Sequence, residues 1–402
     1  MTRTLLSNGT VFDGSGSEPA VGDVVMEDGV IVDVGVGLDG DEAIDCHGRL
    51  VTPGLFDCHV HFMADGDFSP NTHASTPFAM NWFLAAERMR RTLDCGITTV
   101  REAGGTDLGV KEAQEQGLVA GPRMQLSITI LSQTGGHGDN WEVCGAHMPG
   151  MMDEHPGRPH NIVDGPDEMR RKVRELIRAG ADVIKVCTSG GVISPRDDPQ
   201  HAHFMADELD MLVAEATAGH RFVMAHAQAT EGIKNAVRAG IRSIEHGIYL
   251  DDEAIQMMLD AGTYLVPTLI APLGVLEASD RGVDLPEVVL DKARAVVDIH
   301  RASISAAIDA GVRIATGTDS GVTPHGQNLR ELAEMQRLGM SPIAVLESST
   351  RIAAELMGVE AQLGTLEVGK IADLVVFDGT DLDLSDLRSR VSQVYQSGVV
   401  VA

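Results

Sequence analysis

Basic residues are scarce in this chain. Across 402 residues there are 31 Lys and Arg against 59 Asp and Glu, a formal charge of −28. Such a surface repels phosphate backbones and anionic headgroups, so neither a nucleic acid nor a membrane is an expected partner. Long apolar runs are missing as well. Nowhere do 18 apolar residues follow one another, and the start, MTRTLLSNGTVFDG, holds no apolar stretch leading to a cleavage site. The five cysteines (Cys46, Cys58, Cys95, Cys144 and Cys187) form an odd, scattered set without CxxC spacing. That excludes a disulfide framework and a thiolate zinc ribbon. They read as buried free thiols in a reducing compartment, so the expected location is the cytoplasm. No heptad array or low-complexity tract appears.

What is present is an ordinary globular composition, 43% hydrophobic with 44 glycines, in two different rhythms. The first 50 residues are short alternating segments cut by Asn-Gly, Asp-Gly and His-Gly, which predicts antiparallel hairpins. The last stretch, from LGTLEVGKIADLVVFDG to VSQVYQSGVVVA, returns to that style. Residues 1–53 plus 359–402 are therefore expected to build one small discontinuous β-sandwich domain. Between them, in 54–358, amphipathic segments end in a small residue plus glycine and lead into short apolar runs, as in RAGADVIKVCTSGG, RAGIRSIEHG and DAGVRIATGTDSG. Gly96, Gly121, Gly180, Gly219, Gly240, Gly262 and Gly311 suit left-handed helix caps. Counting GLFDCHVHF, eight strands alternate with helices, the pattern of a (β/α)8 TIM barrel with its active groups at the strand ends. A doubly wound sheet is the alternative from pattern alone, but no GxGxxG stands at the first strand-to-helix turn. Two long irregular stretches, 128–165 and 188–203, read as active-site loops. Met148, Met151 and Met152 in the first would offer an adaptable pocket wall.

The strand ends carry the chemistry. His59 and His61 lie two apart in FDCHVHF, so on a strand both imidazoles face one side. Lys185, His226, His246 and Asp319 close four further predicted strands. Four histidines and an aspartate exceed what one catalytic zinc takes, and two ions sharing a bridge fit better. A bridge needs an anionic group with two oxygens. Burial favours neutral lysine, and a neutral Lys185 that adds carbon dioxide becomes a carbamate. The plainer readings are a lysine snorkelling to the barrel mouth or pairing with Asp319.

His59-x-His61, Lys185, His226, His246 and Asp319, in this order, resemble the binuclear-metal branch of the amidohydrolase superfamily. ITILSQTGGHGD, IKVCTSGG and EHGIYLDD resemble its Xaa-Pro dipeptidase (prolidase-like) and N-acyl-amino-acid hydrolase group. The resemblance spans the whole chain. It implies two divalent ions, zinc first, with His59, His61 and Asp319 on the inner one, His226 and His246 on the outer one, and carboxylated Lys185 bridging both. It further implies hydrolysis of an amide bond in a small molecule, a dipeptide or an N-acyl amino acid, by a metal-bridging hydroxide with Asp319 as general base and acid. Relatives in the group also cleave carbamates, aryl amides and mycotoxin amides. A lactone, a cyclic amide or a phosphotriester would suit the same metals, and a non-catalytic barrel scaffold is the reading from another class. A homo-oligomer is expected by resemblance.

Four further residues are candidate contacts. His137 in GGHGD would stabilise the developing oxyanion; Tyr249 and His325 would touch substrate; Arg196 in SPRDDP would meet a substrate carboxylate. His73, His147, His155, His160, His201 and His203 read as solvated loop histidines. DEMRRKVRELIRAG, with Met169, Val173, Leu176 and Ile177 at helical spacing, reads as an outer helix.

Overall fold

The computed structural model describes residues 2–67, 70–147 and 154–402. Five strands open the chain: β1 (Thr4–Val11), β2 (Ala20–Glu27), β3 (Val30–Gly35), β4 (Glu42–Asp45) and β5 (Arg49–Pro53). Asp28 and Gly29, both at positive φ (50° and 82°), make the two-residue turn joining β2 to β3. That is the geometry Asp-Gly supplies at a tight hairpin. Asn8-Gly9 behaves otherwise: β1 runs straight through it, with Asn8 at φ 59° and a register shift between Leu6 and Gly9, so this pair marks a bulge and not a turn.

Three strands close the chain, β14 (Leu374–Asp378), β15 (Val391–Gln396) and β16 (Val399–Val400). β14 pairs antiparallel with β5 over five residues, which joins the two ends in one eight-stranded sheet of order β16-β15-β14-β5-β1-β2-β3, with β4 beside β1. The sheet is mixed, which corrects the antiparallel expectation. β4 and β5 lie along one edge of β1 and run parallel to it, because among the first five strands only β2 and β3 are joined by a tight hairpin and the chain re-enters in β1's direction.

The middle of the chain forms eight parallel strands: β6 (Leu55–Val60), β7 (Ile97–Glu102), β8 (Arg123–Leu126), β9 (Ile130–Leu131), β10 (Val183–Cys187), β11 (Phe222–Ala227), β12 (Ser243–His246) and β13 (Tyr264–Val266). They group as β6-β7-β8 and β13-β12-β11-β10-β9. The third predicted strand is thus two short pieces, interrupted where Ile128 takes φ 69°. On its two sides Ser127 donates to Glu102 O and Asp182 donates to Leu126 O. The eighth predicted strand is not a regular strand, yet segment 313–320 hydrogen-bonds both to β13 (Leu265 N to Arg313 O, 2.9 Å) and to β6 (Cys58 N to Thr316 O, 2.8 Å; Asp319 N to His59 O, 2.8 Å). Gly317 permits this approach: a Cβ there would stand 2.3 Å from Val266 Cγ1 and 3.1 Å from the His59 nitrogen.

Helices alternate with these strands. Gly262 and Gly311 cap two of them in the left-handed conformation, as expected. Gly219 does not (φ −86°); His220 takes the left-handed position one residue later, and a Cβ at Gly219 would strike Ile177. On β10, Ile184 and Val186 join the large core shared with Val173 and Leu176 of helix Pro166–Arg178, while Val183 contributes to a separate small cluster with Ala103 and Met224. Alternation therefore sends Lys185 to the same side as Val183, away from the helices. Four cysteines are buried as expected. Cys144 is exposed, because it sits on a polar turn of the loop after β9. Among the described residues, no helix is long and apolar enough to cross a membrane.

Candidate metal centre and active site

Six donors meet where the parallel strands end. Asp57, His59 and His61 share one side of β6 and its exit by strand alternation. His61 Nε2 lies 3.2 Å and His59 Nε2 3.5 Å from Asp319 Oδ1, and these three residues, all buried, present donor atoms within 4.8 Å of one another. Lys185, 1% exposed, places Nζ 3.2 Å from His59 Nε2. The His246 ring centroid is 5.2 Å from that of His59 and 4.5 Å from that of His226. His246 (φ 74°) and Asp319 (φ 57°) are both left-handed without being glycine, a cost of order 1–3 kcal/mol each that surrounding bonds must hold. His300 Nε2 donates to His246 O, and Asp319 N donates to His59 O.

The remaining ring nitrogens are committed elsewhere. His59 Nδ1 donates to Glu245 Oε2 (2.8 Å), His61 Nδ1 to Gly104 O (2.7 Å), and His226 Nε2 to Gly190 O (3.1 Å), while His246 Nδ1 meets Thr268 Oγ1 (2.7 Å). Such outer contacts fix the ring orientation and leave the opposite nitrogen for an ion. Burial holds His59, His226 and His246 well below the ordinary imidazole pKa, so they are neutral lone-pair donors. Burial likewise lowers Lys185. For Asp319 burial pushes upward, but His59 and His61 outweigh it and hold the carboxyl at about 2. Burial opposes a proton on His61, yet the hydrogen bond and charge of Asp319 prevail and raise its pKa. Converging imidazoles, three of them held neutral by burial, one carboxylate and one amine whose pKa burial lowers fit divalent cations.

Sequence reasoning missed the next layer. Glu245, fully buried, accepts from Arg101 Nη2 (2.8 Å) and Ser243 Oγ (2.6 Å) as well as from His59. Arg101 also donates to Cys58 O and Ser243 Oγ. Asp57 accepts from Thr318, Asn328 and the His59 amide. Asp57 was open to discovery by the same i, i+2 spacing as His59. Glu245 was hidden, since alternation allows only one of Glu245 and His246 to face inward; the left-handed turn at His246 lets both do so.

Above the donors is a cavity of about 260 Å³ with an apolar wall that includes Val192, Ile248, Ala271, Val275, Val289 and Val322. His137 lines it, stacked on His226 (centroids 4.2 Å, 18° between planes), with Nδ1 2.9 Å from Asp197 Oδ2. Burial opposes the charge of Asp197, but His137 and Lys292 hold its carboxyl at about 2. Arg196 borders the cavity and is paired with Glu142.

Two expected contacts fall elsewhere. His325 is 3% exposed and works as a wedge: it stacks on Phe62, meets Thr92 Oγ1 at 3.1 Å, and brings Nε2 within 3.1 Å of His61 O and 3.2 Å of Ala64 O. It is absent from the cavity lining because the chain after Asp319 turns back beneath His61. His325→Ala is therefore expected to cost about 2–4 kcal/mol of stability, read by denaturant unfolding, with KM unchanged. Tyr249 packs with Val192 and Ile248, also outside the lining, because its side chain turns toward Gln200. Of the loop histidines, His147, His160 and His201 are exposed as expected. His203 is buried, its pKa lowered to about 4 by burial, and His155 packs against Phe78 and Trp82. The side chain of His73 and residues Met148, Met151 and Met152 lie outside the described residues.

Known proteins resemble this chain over nearly its whole length. The model of the amidohydrolase family matches residues 50–401. The ochratoxinase of Aspergillus niger is 35% identical over 400 residues, covering 94% of this chain and 82% of that protein. A Xaa-Pro dipeptidase solved with methionine in its active site superposes with a TM-score of 0.90 at 33% identity over 99% of both chains. A prolidase solved with N-methylphosphonate-L-proline gives 0.87 at 34% identity, covering 100% of this chain and 99% of that one. With the match running nearly from end to end and the histidines and aspartate gathered as such a hydrolase requires, this chain belongs to the amidohydrolase family and is a hydrolase acting on carbon–nitrogen bonds.

Proposed function

We propose that the protein hydrolyses an amide bond in a small molecule, a dipeptide or an N-acyl amino acid, at a centre of two divalent ions, zinc first. The observation that carries this reading is the meeting of His59, His61, Lys185, His226, His246 and Asp319 on the floor of one cavity. Likeness to an ochratoxinase and to prolidases supports the amide as the bond. The hydrogen bonds linking segment 313–320 to both β6 and β13 support a closed (β/α)8 barrel over 54–358. The cluster of Leu6, Val24, Met26, Val51, Leu374 and Val376 supports a sandwich in which the sheet of 1–53 and 359–402 folds over its own core. A cytoplasmic homo-oligomer acting on a small molecule completes the reading, on cysteine usage and resemblance.

His59, His61 and Asp319 would hold one ion, His226 and His246 the other, with Lys185 as a carbamate between them. Such ions supply Lewis acidity and a water of lowered pKa. Asp319, ionised at neutral pH, takes a proton from the attacking water and returns it to the leaving nitrogen. The apolar wall receives the substrate's side chain and keeps bulk water from the carbonyl. His137, which lines the same cavity stacked on His226, would stabilise the developing oxyanion.

A panel of N-acyl amino acids, dipeptides, carbamates, aryl amides, lactones and phosphotriesters tests the assignment. The first two classes are expected to give the highest kcat/KM. Turnover confined to carbamates, lactones or phosphotriesters contradicts it.

A further inference from the structure

Thr268 holds an outlying backbone conformation. Its φ is 52°, a left-handed angle that a β-branched residue keeps only where its surroundings impose it. Glu331 closes on the two residues that follow. Fully buried on helix Arg330–Arg337, it accepts the Leu269 amide on Oε1 (2.8 Å) and the Ile270 amide on Oε2 (3.0 Å). These amides open helix Ile270–Asp280, where no acceptor within the helix can reach them. Next in line, Ala271 N donates to Thr268 O at 3.0 Å, and Pro272 has no N–H. The helix start is thus fully satisfied, and only because one carboxyl spans it. Among the described residues no basic side chain forms an ion pair with Glu331, so both of its oxygens are spent on this turn.

The turn carries two parts of the site. Thr268 Oγ1 meets His246 Nδ1 at 2.7 Å, the contact that sets the orientation of that ring. Thr268, Ala271, Pro272 and Val275 line the cavity. We infer that Glu331 is a positioning residue: by holding Thr268 in its left-handed turn, it aims His246 at its ion and sets the apolar wall against which the substrate packs. Glu331 touches neither ion nor substrate, and its effect passes through Thr268. The plainer reading is a helix cap, whose removal would cost stability and leave the site alone. A strained threonine standing between cap and ligand is what separates the two. The His246 part rests on the two-ion reading above, whereas the wall part does not.

Cobalt-loaded protein without substrate tests the first part, because the visible bands of Co²⁺ follow the geometry of its ligands. Glu331→Ala and Thr268→Val are both expected to shift those bands and to weaken cobalt retention about tenfold in chelator competition. Bands and retention unchanged in Glu331→Ala overturn the link to His246. The KM of the substrate turned over best tests the second part. Glu331→Ala is expected to raise it about tenfold, while Thr268→Val, which keeps the bulk and the strained backbone, leaves it within about twofold. Thr268→Gly is the deciding background, since glycine takes φ 52° without strain. There, removing Glu331 is expected to raise KM by less than about twofold. The unfolding midpoint should fall in both backgrounds, because the two amides lose their acceptor either way. An equal KM factor in both backgrounds makes Glu331 a helix cap and nothing more. Glu331→Gln keeps one accepting oxygen and should lie between wild type and alanine in every reading; it carries the same comparisons if the alanine variant does not fold. A wild-type protein that binds neither cobalt nor zinc sinks the two-ion reading, and Glu331 is then judged on KM alone.

Discussion

Lys185→Ala is expected to abolish hydrolysis, with kcat/KM falling about 1000-fold or more, equivalent to about 4 kcal/mol of transition-state stabilisation. The metal content of the purified variant should fall with it. Lys185 is 1% exposed on a strand whose outward residues pack against helices, and its Nζ is 3.2 Å from His59 Nε2. A protonated amine there would repel cations, and burial lowers the pKa of Lys185 toward the neutral form. The neutral amine is then free to add carbon dioxide and supply the second carboxylate that the proposed donor set requires. Alanine removes that charge and leaves a gap of the same length. Formate, acetate or propionate added to the variant should fill it and return part of the activity. A variant with full activity and full metal content would refute the bridge, and unchanged thermal unfolding would separate a lost bridge from a lost fold.

The second large effect is expected one layer out. Glu245→Ala should weaken metal retention about 10- to 100-fold, the usual range for a residue that orients a ligand, and destabilise the fold by about 3–5 kcal/mol. Glu245 joins His59 Nδ1 to the buried guanidinium of Arg101, and both partners lose their acceptor together. Arg101 is 2% exposed, so its charge would be left unpaired in a dry interior. Glu245→Gln keeps the shape but can satisfy only one of the two donors through its oxygen, and should fall between wild type and alanine. Chelator competition reads the metal term and denaturant unfolding reads the stability term. A Glu245→Ala protein that keeps both would show that Arg101 and His59 find other partners.

The contrast between these residues shows what a sequence discloses about such a site. Lys185, His59 and His61 were legible because strand periodicity is simple: an ionisable residue among Val and Ile, or two histidines two apart, must share a face. His226, His246 and Asp319 were legible for a related reason, since each closes an apolar run. Glu245 was not, because its inward direction depends on the left-handed backbone at His246, which no local propensity encodes. Asp197 and Lys292 are 95 residues apart and meet only through tertiary packing. His325 misled in the opposite direction. It follows a strand-end aspartate in a glycine-rich loop, as a substrate contact would, but the loop folds back and buries the ring against Phe62. The fold followed the same division. Helix-to-strand glycines marked most of the middle of the chain correctly, whereas the bulge at Asn8-Gly9 and the parallel course of β4 beside β1 depend on partners far away.

All of the proposed chemistry depends on the cluster holding two cations. Elemental analysis of the protein, purified without chelators and without added metal, tests that most directly. The account predicts close to two equivalents of divalent transition metal per chain, zinc foremost; a chain that is active with no more than trace metal would contradict it.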